Sequence, residues 1–240
     1  MHRVLHVVAL ALAGVPLAAC GDSSSPDARF ACLGDTLPTT APSLIVVTGQ
    51  VTDIGHNPVA GASVGAFRTS DTTTSLATAT TSTPGFYSLT ISTGATPVNG
   101  YVRVLDTAHI ATYAYPARPL TADTVDNITM VTPAEFLLLA NAAGITPQAG
   151  KGFIGVIVKD CTGTAIAGAT VSTTPSGTVL YNLVGVPSSS ATATAADGIA
   201  YIANVAAGDV TVQAHASGHA LRQHIVNARA DAITLTEIRP

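Results

Sequence analysis

Apolar and polar residues alternate along most of the chain after Leu44, and turn residues interrupt the alternation at short intervals. A period of two places successive side chains on opposite faces of a strand, so the pattern predicts half-buried β-strands. Stretches rich in Thr and Ser, from Thr69 to Thr83 and from Ser172 to Ala195, suit exposed strand faces and loops. The chain is therefore predicted to be all-β.

The strand pattern occurs twice. Residues 51–64 align without a gap with residues 158–171. The identical residues in this alignment include Asp53 with Asp160, Gly61 with Gly168, Ala62 with Ala169, and Val64 with Val171. Each copy reads as strand, turn, strand, long hairpin, Gly turn and final strands, which is typical of a small antiparallel sandwich. We therefore expect two tandem antiparallel β-sandwich domains, at residues 44–132 and 150–240.

One short α-helix is predicted between the copies, within a linker at residues 133–149. Thr132 can cap its N-terminus, Pro133 suits the first helical position, Glu135 completes a capping box and Gly144 ends the helix. An apolar face must be buried, most simply in the cleft between the sandwiches, although a surface helix without a functional role is the more ordinary interpretation. That face consists of Phe136, Leu137, Leu139 and Ala140.

The N-terminus has the pattern of an export signal. A basic start at Arg3 precedes a mostly apolar run that is shorter than the ~20 residues needed to cross a bilayer. The run ends at Leu17-Ala18-Ala19-Cys20, which resembles a bacterial lipobox and implies that Cys20 is acylated after cleavage. Residues 1–19 are thus expected to be a lipoprotein signal peptide. The mature protein would be anchored by lipid to a membrane of the bacterial cell envelope, in the periplasm or at the cell surface.

The remaining cysteines predict a disulfide. Residues 20–43 are rich in Gly, Ser, Thr and Pro and are expected to form a flexible tether. Cys32 lies in this tether, and Cys161 lies in a turn of the second copy. With Cys20 assigned to lipid, these two form an even pair in an oxidising compartment, where disulfides persist. A Cys32–Cys161 bridge would pin the far end of the tether to the body, and two buried free thiols are the alternative.

Composition bears on the possible partners. The net charge is −4, charged residues make up 10% of the chain, and no Lys/Arg cluster exists that could neutralise a row of phosphates, so nucleic acid is not expected. Aromatic residues make up 5% and tryptophan is absent, which weakens a polysaccharide site because sugar platforms use large aromatic faces. The tyrosines that remain as candidates for such a site are Tyr101, Tyr113, Tyr115, Tyr181 and Tyr201.

Two patterns resemble sites for chemistry. Residues 61–65, Gly-Ala-Ser-Val-Gly, match the nucleophile elbow of serine hydrolases, but the sequence after them reads as strand and the elbow requires a turn into a helix. His215, His219 and His224 are weak candidates for zinc ligands, because Gly218 divides the segment that carries them. Asp53 and Asp160 are expected to cap turns. No catalytic residue, metal site or cofactor is predicted.

The repeated motif resembles the carboxypeptidase regulatory-like domain, a transthyretin-like (prealbumin-like) β-sandwich. The likeness rests on Val-x-Asp, a small turn, Gly-Ala-Ser/Thr-Val and a later Gly-x-Tyr-like strand at residues 84–87 and 197–201. The chain departs from the family's Gly-Tyr corner, where it has Ala108-His109 and Gly218-His219. The resemblance implies an accessory, non-catalytic module with a structural, adhesive or spacer function. Binding of a protein or polysaccharide is the alternative, and a metal-dependent or serine hydrolase is a more remote one.

Overall fold

The computed structural model describes residues 27–240. Strands dominate this part of the chain, with one α-helix between the two copies of the repeat. In chain order the elements are a 3-10 helix (Ala28–Phe30), β1 (Leu44–Asp53), β2 (Ser63–Arg68), β3 (Asp71–Thr80), β4 (Phe86–Ser92), β5 (Gly100–Leu105), β6 (Thr112–Tyr115), β7 (Thr124–Val125), β8 (Ile128–Met130), α1 (Pro133–Ala142), β9 (Lys151–Val158), β10 (Thr170–Thr174), β11 (Thr178–Leu183), β12 (Val186–Ser188), β13 (Ile199–Ala206), β14 (Gly208–Ala216), β15 (His219–Ala220), β16 (His224–Ala228) and β17 (Ile233–Ile238).

The first sandwich contains β1 to β8. In one sheet β1 pairs with β4, β7 and β8, and in the other the strand order is β3-β2-β5-β6. Alternate residues of β1 and β4 point into the space between the sheets, which is why Ile45, Val47, Leu89 and Ile91 are buried. This core is built mainly from Val, Ile and Ala side chains.

The second sandwich contains β9 to β17. One sheet has the order β12-β11-β13-β9-β17, and the other places β14 between β10 and β16, with the short β15 beside β14. Ile154, Val156 and Val158 alternate along β9 and point into the core. Val210 and Val212 face them from β14.

The two copies have corresponding strand orders. The strands β1, β2, β4, β5, β6 and β8 occupy the places that β9, β10, β13, β14, β16 and β17 occupy in the second copy. The Gly-Ala-x-Val segments lead into β2 and β10, which pair with equivalent strands. The predicted pair of sandwiches joined by a short helix is confirmed, with one correction. The last strand of each copy, β8 or β17, runs parallel to the first strand, so the sandwiches are not purely antiparallel.

The turns that define the motif also match. The carboxylate of Asp53 accepts a hydrogen bond from the amide of Asn57 at 2.8 Å, and that of Asp160 accepts one from the amide of Thr164 at 2.9 Å, as expected for turn caps. Gly85 and Gly198 have φ of +78° and +69°. A Cβ would lie 2.5 Å or 2.6 Å from a carbonyl oxygen of the first strand, so both turns require glycine.

A buried threonine in each copy holds the second strand to the preceding loop. Thr81 and Thr194 are each 4% exposed. The Thr194 hydroxyl accepts a hydrogen bond from the Ala169 amide at 2.9 Å and donates one to the Ile166 carbonyl at 2.6 Å. Thr81 makes the same pair of bonds in the first copy. Sequence reasoning missed these residues, because both lie in Thr-rich stretches that were interpreted as exposed.

The two sandwiches share one sheet. The edge strand β6 of the first sandwich pairs in parallel with the edge strand β17 of the second, from Thr112 with Ile233 to Tyr115 with Thr236. On its other side β17 pairs with β9. The result is a nine-stranded sheet with the order β12-β11-β13-β9-β17-β6-β5-β2-β3.

Both ends of the described segment 27–43 contact the folded body, within the flexible tether predicted for residues 20–43. Phe30 is buried in the core of the second sandwich, and its ring lies 4.6 Å from that of His219. The Cys161 amide donates to the Arg29 carbonyl at 2.9 Å. The predicted Cys32–Cys161 disulfide is present, with a Cα–Cα distance of 5.7 Å. The predicted signal peptide and Cys20 lie outside the described residues.

The linker helix begins and ends as predicted. Thr132 and Glu135 form the capping box, and Gly144 follows the C-cap with φ of +72°. The Phe136 ring packs edge-on against Phe153 at 5.2 Å and Ala140 is buried. Leu137 is 49% exposed, so the predicted apolar face is only partly covered. Within residues 27–240, no helix is long and apolar enough to cross a membrane.

We predict that Thr194→Val destabilises the second sandwich, because it leaves the Ala169 amide and the Ile166 carbonyl buried without partners. The expected loss is about 1–3 kcal/mol in the free energy of unfolding, measured by urea denaturation. Thr192→Val is the matched control, since Thr192 is exposed two residues away. Equal stability of the two variants would contradict the role of the buried hydroxyl.

Candidate functional site

A groove of about 960 Å³ runs between the two sandwiches and reaches into the core of the first, where the buried Val47, Ile91 and Val98 line it. One wall is the outer face of β9, β13 and β17, because the residues that alternate with the core positions of these strands point away from the second core. The opposite wall is formed by residues 116–131 and by α1. Apolar side chains line much of both walls, among them Leu120, Phe136, Leu139, Phe153, Ile157, Tyr201 and Leu235.

Charged side chains gather at one end of this groove. Lys159 Nζ lies 2.5 Å from Glu237 Oε2, and the Arg239 guanidinium also contacts the Glu237 carboxylate. Asp126 borders the same end. Burial, with a smaller contribution from the Glu237 charge, raises the pKa of the Asp126 carboxyl to about 6, and the Lys159 charge opposes this shift. Asp126 therefore titrates closer to neutrality than an ordinary carboxyl.

The backbone of Asp126 is fixed by the first sandwich. Its amide donates to the Thr48 carbonyl at 2.8 Å, and the Tyr87 hydroxyl donates to its carbonyl oxygen at 2.6 Å. Gly49 makes this approach possible, because a Cβ there would lie 1.9 Å from the same carbonyl oxygen. Sequence reasoning missed Asp126. The available signal was Gly49 itself, since a glycine inside a strand often marks close approach of another backbone.

Three of the tyrosines that remained as candidates for a sugar site lie where the two domains meet. Tyr101 and Tyr115 are each 4% exposed, and their rings stack 5.0 Å apart. Arg229 of the second sandwich lies 3.9 Å from the ring centroid of Tyr113 and 4.7 Å from that of Tyr101, and it donates to the Tyr115 hydroxyl at 3.1 Å. Tyr181 is buried. Of the five candidates, Tyr113 and Tyr201 are partly exposed, and the other three are buried.

The three histidines do not form one site. His215 points outward from β14, whereas His224 pairs with the buried Val212 and lies on the opposite face. His219 packs against the ring of Phe30 in a tilted arrangement. The His224 ring nitrogen Nδ1 lies 2.8 Å from the Thr236 hydroxyl, and burial lowers the pKa of His224 to about 4. Within residues 27–240, no group of three or more His, Cys, Asp or Glu side chains is placed to hold a metal ion.

The motif at residues 61–65, which resembles a nucleophile elbow, leads into a strand. Ser63 is the first residue of β2, and the chain continues through Gly65 as a strand. This confirms the expected strand and removes the turn into a helix that a nucleophile elbow requires. The groove remains the candidate site among the described residues, because it combines an apolar surface with a cluster of charged side chains.

No family model matches the chain, and no curated protein matches it. Among solved structures, it is similar to the Bacillus anthracis TIE protein, with 9% identity over 81% of this chain and 33% of that one and a TM-score of 0.29. It is also similar to a Streptococcal ancillary pilin, with 10% identity over 82% of this chain and 62% of that one and a TM-score of 0.28. A mutant of the shaft pilin spaA from Lactobacillus rhamnosus GG shows 12% identity over 82% and 98% of the two chains, with a TM-score of 0.27.

The chain thus spans about a third of the TIE protein and less than two thirds of the ancillary pilin. Similarity at these identities and TM-scores supports no inference about function.

We predict that His224 makes the protein less stable in acid. Its pKa of about 4 in the folded state lies below the ordinary 6.5, so between these values the unfolded chain binds a proton that the folded protein does not. The free energy of unfolding should therefore fall as the pH is lowered from 6.5 to 4, by about 2–3 kcal/mol from this group.

His224→Gln should reduce this acid loss when urea denaturation is measured across that range. Other groups, including Asp126, titrate in both proteins, so the difference between the two curves isolates His224. His215→Gln is the control at an exposed position. If the free energy of unfolding fell by the same amount with pH in the wild type and in His224→Gln, the prediction would be wrong.

Proposed function

We propose that this chain is a lipid-anchored, non-enzymatic protein of the bacterial envelope, in which two sandwiches act together as one structural, adhesive or spacer module. The observation that carries the proposal is the nine-stranded sheet that crosses the domain boundary through β6 and β17. A shared sheet fixes the relative position of the domains, whereas a flexible linker would not. A fixed geometry is what a spacer or a scaffold requires.

Two further links support a single rigid module. Arg229 contacts three tyrosines of the first sandwich, so the domains are also joined through side chains beside the shared sheet. The disulfide joins the segment before the first sandwich to the first turn of the second. In the chain-entropy model, closing so long a loop stabilises the folded state by up to about 5 kcal/mol.

The roles of the polar residues in the repeat agree with a module that performs no chemistry. Asp53 and Asp160 cap turns, Thr81 and Thr194 satisfy backbone groups, and Ser63 begins a strand. Each of these side chains has a structural explanation. Together with the motif Val-x-Asp and Gly-Ala-x-Val, they support the proposal that both copies are carboxypeptidase regulatory-like domains.

The anchor is tested at Cys20. Because acylation requires the thiol of this residue, Cys20→Ser should move the protein from the membrane fraction to the soluble fraction when cells are fractionated. Cys32→Ser is the matched control, since it removes a different thiol and should leave the protein with the membrane. Retention of the Cys20→Ser protein in membranes after a high-salt wash would contradict lipid anchoring at this residue.

The rigid module is tested with paired nitroxide labels at exposed positions. Labels at Phe86 in the first sandwich and Val184 in the second should give one narrow distance distribution by pulsed electron paramagnetic resonance, because the shared sheet fixes both domains. Labels at Val184 and Ile225, which both lie in the second sandwich, serve as the reference. Their distance distribution gives the width expected for two labels on one rigid body. A distribution much broader than this reference would contradict the single module.

A further inference from the structure

The hairpin of β11 and β12 ends in a patch of exposed aliphatic side chains. Leu183 pairs with Val186 across the hairpin, and Val184 and Gly185 form the two-residue turn between them. The exposed fractions are 50% for Leu183, 96% for Val184 and 52% for Val186. We call these three side chains the hairpin tip. Because Val184 is almost fully exposed, packing within the chain does not explain an aliphatic residue at this position.

Val184 is also an unfavourable residue for its turn. Its φ is +52° and that of Gly185 is +83°, so both turn residues lie in the left-handed region, as in a type I′ turn. Such turns favour Asn-Gly or Asp-Gly, and a β-branched residue at positive φ is a genuine outlier. The isolated chain therefore accepts strain at Val184 without a contact that would offset it. A position that breaks a local rule in this way points to a contact with something outside the chain.

The segment that carries the hairpin tip is uncharged. Residues 161–196 contain no Asp, Glu, Lys, Arg or His. The first charged residue after the tip is Asp197, whose carboxylate accepts a hydrogen bond from Asn182 Nδ2 at 2.6 Å. Removal of a charge from water is costly, whereas removal of aliphatic side chains from water is favourable. The composition of this segment therefore suits contact with hydrocarbon.

The hairpin tip lies at the end of the second sandwich to which residues 27–32 are attached. Through β13, Tyr181 of β11 is level with Val156 of β9, so β11 and β9 continue from there toward the same end of the sheet. Cys161 follows β9 at this end, and the disulfide joins it to Cys32. The start of the described chain and the hairpin tip are therefore at one end of the module.

The proposed anchor is close to this end in sequence. Cys20, the residue proposed to carry lipid, precedes Asp27 by seven residues. Seven residues span at most about 25 Å when they are fully extended. A lipid on Cys20 would therefore hold this end of the second sandwich near the bilayer, and the hairpin tip with it.

We propose that the hairpin tip inserts into the bilayer that holds the lipid anchor and forms a second, apolar contact with it. The inference rests on the anchor of the proposed function, because a few aliphatic side chains bury less hydrocarbon than one acyl chain, which itself binds membranes only reversibly. The anchor supplies a high effective concentration of the tip at the surface. Only side chains enter the hydrocarbon, so the backbone of the turn keeps its hydrogen bonds with water at the headgroups. Two contacts would fix the orientation of the module on the membrane.

The experiment uses the mature, acylated protein, purified in detergent and reconstituted into phosphatidylcholine vesicles. The environment-sensitive fluorophore NBD is attached at Val186→Cys, which provides the free thiol because Cys32 and Cys161 are bonded to each other. Doxyl-labelled lipids should quench this label several-fold more strongly than a label at Ile225→Cys. Ile225 is the matched control site, since it is 60% exposed and lies on β16 of the same sandwich.

Val184→Asn tests the hairpin tip without loss of the fold. Asn adopts positive φ more readily than Val, so this substitution should raise the midpoint of thermal unfolding. In the protein labelled at position 186, it should also reduce quenching to the level of the Ile225 site, because the most exposed aliphatic side chain of the tip is replaced by an amide. Ile225→Asn is the matched control and should leave quenching at position 186 unchanged.

Flotation of the vesicles separates the hairpin tip from the anchor. If the protein floats with the vesicles but the label at position 186 is quenched no more than the label at position 225, the anchor is present and insertion of the tip is wrong. If the protein does not float with the vesicles, the anchor is wrong and the inference is overturned with it. Strong quenching that persists in Val184→Asn would also overturn the inference, since the tip would then not be the inserted element.

Discussion

Strand β17 is the element on which the arrangement of this molecule depends. It hydrogen-bonds to β9 on one side and to β6 on the other, so a single strand near the end of the chain completes the second sandwich and attaches it to the first. Both pairings are parallel, and parallel strands require distant parts of the chain to come together. The first sandwich keeps its own edge, β6, open for this contact. The sandwiches therefore share a boundary that neither could form alone.

The groove is a consequence of the same strand. Because only one edge of each sheet meets the other, the outer face of β9, β13 and β17 is left facing residues 116–131 and α1 across a gap. The apolar side chains there are outward positions of a sheet that packs on a second layer only in part. Phe136 covers Phe153 at one end, while Asp126 and the Lys159–Glu237 pair border the other. Structural rigidity and a lined cavity thus arise from one packing arrangement.

Local sequence patterns predicted the secondary structure. Which side chains are buried, and which polar groups meet, depends on long-range packing and was not predicted. Alternation, the Gly turns and the capping box at Thr132 are properties of short segments, so the strands, the turns and the helix could be read directly. The exposure of Leu137 and the burial of Tyr101 depend on which surfaces meet, and alternation alone carries no such information. Thr194 shows the same limit within one domain, because its two backbone partners lie far from it in sequence. Asp126 was missed for this reason too, since its neighbours come from four separate strands and loops.

The disulfide also determines how a force on the N-terminal side would travel through the molecule. The chain reaches the second sandwich at Cys32, through Cys161, before it enters the first sandwich at Leu44. A pull applied upstream of Cys32 would pass through the covalent bond into the strands of the second sandwich and would leave β1 unloaded. The first sandwich, although earlier in the sequence, would then be the mechanically shielded end of the molecule.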